Sequence, residues 1–92
     1  DRYNVGTVYA LEGLAGLSAT VGKMEKAARL IGYADAARER LSDPRPPHEQ
    51  ADVDLSIAAC VARIGNEAFS NAYEAGKRMS LDEAVLFAVK EN

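Results

Sequence analysis

The chain has 92 residues, which is enough for one small domain and too few for two. Hydrophobic residues make up 48% of it and many are alanine, so we expect a closely packed core of modest stability. The net charge of −3 disfavours a phosphate-binding surface, and no apolar run approaches the roughly 20 residues of a membrane span. Cys60 is the only cysteine, which excludes an internal disulfide. We expect a cytoplasmic domain with no nucleic-acid or membrane partner.

Residues 1–41 carry the pattern of two antiparallel helices. Apolar residues recur every three or four positions, which predicts one helix from Tyr3 to about Thr20 and another from Lys23 or Met24 to about Leu41. A glycine just past the last periodic residue ends a helix well, so Gly22 is predicted to form the turn. The glycines inside the first helix are interpreted as positions where another helix backbone approaches closely: Gly6, Gly13 and Gly16.

Residues 42–92 are predicted to add three further helices. Prolines interrupt the pattern in an elbow over residues 42–47, because proline lacks an N–H donor and restricts the residue before it. Helices are then predicted over residues 47–64 and 67–78, separated by a turn at Gly65-Asn66. Ser80 and Glu83 form a capping-box pattern that starts the last helix. The expected fold is all-α, with about five helices in a single domain over 1–92. Its hairpin lies at 1–41, and 47–92 form a three-helix continuation or cap.

No set of residues predicts a catalytic, cofactor or metal site. The run from Gly16 to Lys23 has the wrong spacing for a phosphate loop, and Met24 stands where Ser or Thr would bind magnesium. His48 lacks the additional ligands that a metal site needs, and Cys60 lies in an apolar stripe without a partner base. The arginines near the elbow alternate with acids and are interpreted as a mixed solvated face: Arg38, Arg40 and Arg45.

Exposed aromatic and apolar side chains are the candidates for partner recognition. Tyrosines combine a large apolar ring with a polar hydroxyl, which suits a contact surface. The last helix is apolar nearly all round, so we expect a neighbour from this chain or another to cover part of it. The candidate interaction surface consists of Tyr9, Tyr33, Leu86 and Phe87.

Small and large residues follow one another through the first hairpin in the order Leu11, Leu14, Ala15, Ser18, Gly22, Ala27, Ile31 and Ala34. This order resembles a tetratricopeptide repeat, although Ser18 stands where an aromatic residue is more usual. A second copy does not fit over residues 47–78. One repeat with a divergent tail is typical of the end of an array, where the terminal repeat caps the stack.

Nearly the whole chain is similar to one kind of bacterial helical segment, through Ala10–Ala15, Ala27–Ala34, Pro46–Pro47, Gly65–Phe69, Gly76 and Met79–Val85. That segment is the C-terminal helical repeat of large signal-transduction regulatory ATPases, which include LuxR-family transcriptional regulators. The resemblance implies a sensor or scaffold arm. It also implies that the nucleotide site and any DNA-binding helix-turn-helix lie elsewhere in such proteins, so no functional residue carries over.

The leading hypothesis is a non-enzymatic protein-interaction domain of a bacterial signalling or transcriptional regulator. It would contact other domains of a parent chain or a second copy of itself. The chain starts at Asp1, already in helical pattern, so we expect it to be part of a larger protein. The alternative is a free-standing helical adaptor that binds a peptide or partner helix.

Overall fold

The computed structural model describes residues 2–90, which form four α-helices and no strand. Helix α1 spans Arg2–Thr20, α2 spans Met24–Leu41, α3 spans Pro47–Lys77 and α4 spans Leu81–Val89. The all-α prediction is therefore confirmed. Within residues 2–90, no helix combines the length and the hydropathy needed to cross a membrane.

A three-residue connection returns the chain from α1 to α2. Gly22 lies in the left-handed region at φ +89°, where residues with a side chain are strained. The Lys23 N–H donates to the Ser18 carbonyl oxygen at 2.8 Å and satisfies a group that the end of α1 leaves free. The predicted turn and both helix boundaries beside it are confirmed, and α2 packs directly against α1.

Helix α3 is kinked at Gly65, which has φ +87° and ψ 164°. Glycine takes this conformation at little cost, and the helix resumes on the next residues without a loop. The sequence predicts a break at Gly65-Asn66, and the non-helical residue lies there. The count of about five helices is not confirmed: residues on the two sides of Gly65 form two helical segments that continue each other as the 31-residue α3.

Helix α2 lies at the centre of the fold and contacts each of the other three helices. Its buried side chains meet Val8, Leu11 and Ala15 from α1 in one cluster, which Ala84 and Ala88 of α4 also join. Tyr33 is the largest side chain that is fully enclosed. The predicted apolar stripe of α2 is thus the core of the domain.

Two glycines allow α2 and α3 to pack backbone to backbone. A methyl group at Gly32 would collide with the Tyr73 carbonyl, and one at Gly76 would collide with the Arg29 carbonyl. Close approach was expected instead at Gly6, Gly13 and Gly16, and this interpretation is wrong for the described fold. Those three have open space at the position of a side chain, because no atom of a neighbouring helix comes within 4 Å of it.

Candidate functional site

Helix α4 is held by its N-terminal cap. The Ser80 N–H donates to a Glu83 carboxylate oxygen at 2.8 Å, and the Glu83 N–H donates to the Ser80 hydroxyl at 3.1 Å. This is the predicted capping box. With its start fixed, α4 turns Ala84 and Ala88 into the core and leaves Leu86 65% and Val89 69% exposed.

A groove of about 750 Å³ lies between α4, the end of α3 and Arg29 of α2. Its apolar lining comes from Ala75, Met79, Leu86, Phe87 and Val89. We call it the α4 groove. It is an open surface feature in which apolar and charged side chains lie together.

Three cationic residues line the α4 groove: Arg29, Arg78 and Lys90. The Arg29 guanidinium lies 4.8 Å from the centre of the Phe87 ring, in cation–π contact. The Arg29 Nε is buried and has no hydrogen-bond partner among the described residues. Within residues 2–90, Glu83 is the one acidic residue lining the groove, and its carboxylate accepts the capping hydrogen bond from Ser80. The groove therefore carries a positive excess in a chain of net negative charge.

The predicted interaction residues do not form one surface. Leu86 and Phe87 both line the α4 groove, where Leu86 is exposed and Phe87 is half-buried against the core. Tyr9 is exposed on α1, beside Gly13 and Val53 in a separate depression. Tyr33 is only 1% exposed, because it lies on the side of α2 that faces the core. Tyr33 is therefore not part of an exposed surface.

Helix α1 presents a second uncovered apolar face. Leu17, Val21 and Tyr9 are exposed there, and Leu14 is at the border of exposure. The described neighbours of α1 cover the side that carries Val8, Leu11 and Ala15 and leave this side open.

Buried ion pairs join α1, the end of α2 and the elbow. The Arg38 Nε and Nη2 donate to the Glu12 carboxylate at 2.6 and 2.8 Å, and the Arg45 Nε donates to the same carboxylate at 2.7 Å. The Arg45 Nη2 also lies 2.6 Å from an Asp35 oxygen. The hydrogen bond with Glu12 raises the pKa of Arg38. The mixed solvated face predicted here is therefore wrong for Arg38 and Arg45, whose side chains are almost entirely buried.

This ion-pair cluster extends to α3 through Tyr73. The Tyr73 hydroxyl donates to the other Asp35 oxygen at 2.5 Å. Burial, together with this hydrogen bond, raises the pKa of Tyr73. An open depression of about 460 Å³ lies beside Asp35, Arg38 and Arg45, but each of these charged groups is paired with another member of the cluster. The cluster therefore acts as a structural tie between α1, α2 and α3.

The residues considered for chemistry are separate from one another. The His48 side chain is exposed, and its Nε2 lies 3.9 Å from a Glu49 carboxylate oxygen. The Cys60 thiol is buried, which raises its pKa, and it donates to the Met24 carbonyl at 3.6 Å. Over the described residues, no three His, Cys, Asp or Glu side chains gather as metal ligands.

The chain is similar in sequence to mycobacterial regulators. It is 35% identical over 79 residues to a protein of Mycobacterium tuberculosis strain H37Rv named "Putative HTH-type transcriptional regulator Rv0890c". It is equally similar to the protein of the same kind Mb0914c from Mycobacterium bovis. The match covers 86% of this chain and 9% of each relative, so the chain spans about a tenth of their length. No family model and no solved structure matches.

These relatives correct one expectation about partners. Their name places them among helix-turn-helix regulators, a class that binds DNA. The exclusion of nucleic acid as a partner, which rested on the net charge and on the family resemblance, is therefore wrong. The names describe regulators of transcription, in agreement with the predicted regulator-related helical domain. They do not mention LuxR, an ATPase or a tetratricopeptide repeat.

Proposed function

We propose that this chain is a non-catalytic protein-interaction segment of a bacterial helix-turn-helix transcriptional regulator. The observation that carries the proposal is the 35% identity to the mycobacterial regulators, which extends over 79 residues and so includes most of the helical fold. The assignment to the LuxR-family and regulatory-ATPase class is part of this proposal. It rests on the resemblance of the first hairpin and the flanking motifs.

The segment acts as one unit in this proposal. Residues 1–41 serve as a tetratricopeptide-like hairpin, and residues 47–92 serve as its continuation or cap. The contacts of α2 with all three other helices support this view, because they join the described helices into one packed unit.

The uncovered apolar surfaces support a role in protein contact. Leu17 and Val21 on α1 and Leu86 and Val89 on α4 are all more than half exposed. Clustered apolar exposure of this kind marks interaction sites more often than it occurs by chance on a monomer. We infer that the partners are other domains of the regulator or a second copy of the chain. The cytoplasm is the corresponding compartment.

A domain exchange in the mycobacterial relative tests this function. The 79 matched residues of Rv0890c would be replaced by this chain, and transcript profiles would be compared with those of intact and segment-deleted strains. We expect the exchanged protein to restore the intact profile. An unrelated helical domain of similar length, expressed at the same level, serves as the control and should not restore it.

Surface variants of the exchanged protein test the interaction role. Leu86→Glu with Val89→Glu should abolish the restored profile, because charge is placed on the exposed face of α4. Leu55→Glu is the matched control, since Leu55 is 71% exposed on α3 and lies outside the α4 groove. The proposal fails if the exchanged protein, present at the level of the intact one, gives the profile of the deletion strain.

A further inference from the structure

We propose that the α4 groove binds an acidic amphipathic helix of a partner protein. The inference rests on the proposed interaction function and specifies the site and the chemistry of its occupant. An amphipathic helix binds a groove by laying its apolar face on the floor while its charged residues meet the rim. The α4 groove offers both components on adjoining side chains.

The floor of the groove supplies apolar surface for the helix to cover. Leu86 and Val89 lie one turn apart on α4 and are mostly exposed, and Phe87 beside them is half-buried. Met79 and Ala75 extend this surface onto the end of α3. An apolar floor of this kind packs well against leucine-like side chains spaced three or four residues apart, because such residues share one helix face.

The rim specifies the charge of the occupant. Arg29, Arg78 and Lys90 surround the floor, whereas the Glu83 carboxylate is already bound to the Ser80 N–H. The Arg29 guanidinium lies against the Phe87 ring of the floor, where its charge attracts a carboxylate of the occupant. The whole chain has 11 basic and 14 acidic residues, so the positive excess is a property of this groove. Charge complementarity therefore favours glutamate and aspartate on the partner helix.

The apolar floor favours a protein helix over a nucleic-acid backbone. Phosphate binding relies on cations spread along a surface and gains little from exposed leucine and valine. Around the α4 groove, the apolar lining residues outnumber the cationic ones. Duplex DNA is therefore the alternative occupant of the α4 groove that the binding experiment must include.

The test measures binding of labelled helical peptides to the 92-residue chain by fluorescence anisotropy. The first probe has leucine at positions i, i+3, i+4 and i+7 and glutamate and alanine elsewhere. The second replaces every glutamate with lysine, and the third is a fluorescent DNA duplex. We expect saturable binding of the glutamate peptide, weaker at higher salt, and no comparable binding of the lysine peptide. Any binding of the duplex should be unchanged in the groove variants.

Two groove variants and two matched controls locate the site. Leu86→Glu and Arg78→Glu should each lower the affinity for the glutamate peptide about tenfold or more. This is the loss expected for one desolvated or charged contact. Leu55→Glu and Arg63→Glu make the same changes at exposed positions on α3 outside the groove and should bind as the parent does. Circular dichroism verifies that all four variants are helical. Arg78→Glu should also gain affinity for the lysine peptide.

The inference is overturned if the glutamate peptide fails to bind, if the lysine peptide binds equally well, or if the groove variants bind like the controls. DNA binding that Arg78→Glu abolishes and Leu86→Glu leaves intact would also overturn it and assign the rim to phosphate. The domain exchange separates this inference from the proposed function. A successful exchange with no peptide binding removes only the groove assignment, and a failed exchange with peptide binding removes only the regulator assignment.

Discussion

Glu12 on α1 and Arg38 on α2 form a two-point ion pair in which both carboxylate oxygens accept an N–H of one guanidinium, at 2.6 and 2.8 Å. The same carboxylate accepts the Arg45 Nε from the elbow. A single acidic side chain thus holds two buried cations that belong to different parts of the chain. Helix α1 is tied to the elbow through this carboxylate.

Glu12→Gln should destabilise the fold by about 3 kcal/mol, because it leaves two buried guanidinium groups without their shared anion. The remaining acids, Asp35, Asp43 and Glu49, compensate in part by pairing with Arg38 or Arg45. Urea unfolding monitored by circular dichroism measures the change. Glu39→Gln is the control, since Glu39 is exposed, and a comparable loss there would show that the buried pairs are not the cause.

Tyr73→Phe should remove a pH dependence from the stability of the domain. Burial and the hydrogen bond to Asp35 raise the pKa of Tyr73 in the folded state above the value near 10 of an unfolded chain. The folded state therefore holds the phenol proton more tightly. This contribution to stability is complete below pH of about 10 and declines as the pH rises beyond it.

The measurement is the free energy of unfolding of parent and variant between neutral and strongly alkaline pH. Tyr73→Phe should lose about 1 kcal/mol at neutral pH, the typical net value of a hydrogen bond, and should show a flatter decline above pH of about 10. Tyr9→Phe alters an exposed ring on α1 and serves as the control. Parallel alkaline curves for parent and Tyr73→Phe would contradict the role assigned to this hydroxyl.

Gly76→Ala and Gly13→Ala should have opposite effects. A methyl group at Gly76 meets the Arg29 carbonyl, so α2 and α3 must move apart at a cost of about 1 to 3 kcal/mol. A methyl group at Gly13 meets nothing, and alanine should stabilise the exposed helix α1 by about 0.5 to 1 kcal/mol. Thermal unfolding of the two variants and the parent measures both changes in stability. Equal shifts in the same direction would show that backbone contact between α2 and α3 is not limiting.

The features predictable from sequence are those whose cause is local. Gly22 ends α1, Gly65 kinks α3 and Ser80 caps α4, and each depends on residues within one turn. The backbone conformation of a glycine or the reach of a capping serine is set by its immediate neighbours. For this reason the helix boundaries at residues 20, 24, 41 and 47 were predicted correctly.

The features missed from sequence depend on distant partners. Glu12 pairs with residues 26 and 33 positions away, and no local pattern specifies that distance. One signal was present: Glu12 is the only charged residue between Tyr3 and Gly22, and a lone charge on an apolar helix usually needs a partner. Likewise, the roles of Gly32 and Gly13 differ because a neighbouring backbone covers only Gly32.

The candidate surface shows the same division between local pattern and tertiary context. Leu86 and Tyr33 both follow a helical apolar pattern, yet Leu86 is exposed and Tyr33 is enclosed between helices. The positive charge of the α4 groove also escapes sequence analysis. That charge arises because the fold brings together Arg29 of α2, Arg78 just after α3 and Lys90 just after α4.

The Cys60 thiol should react only when the domain opens. It is fully buried, it donates to the Met24 carbonyl, and burial raises its pKa, so the thiolate that alkylating reagents attack is scarce. Alkylation by iodoacetamide in native buffer should be at least about a hundredfold slower than in urea, because the reaction must await an opening of the core. A Cys60→Ala chain carrying Ser70→Cys, an exposed position on α3, is the control and should react at similar rates in both solutions. If the native parent reacts within about tenfold of the unfolded rate, the region around Met24, Ala27 and Cys60 opens far more readily than its packing implies.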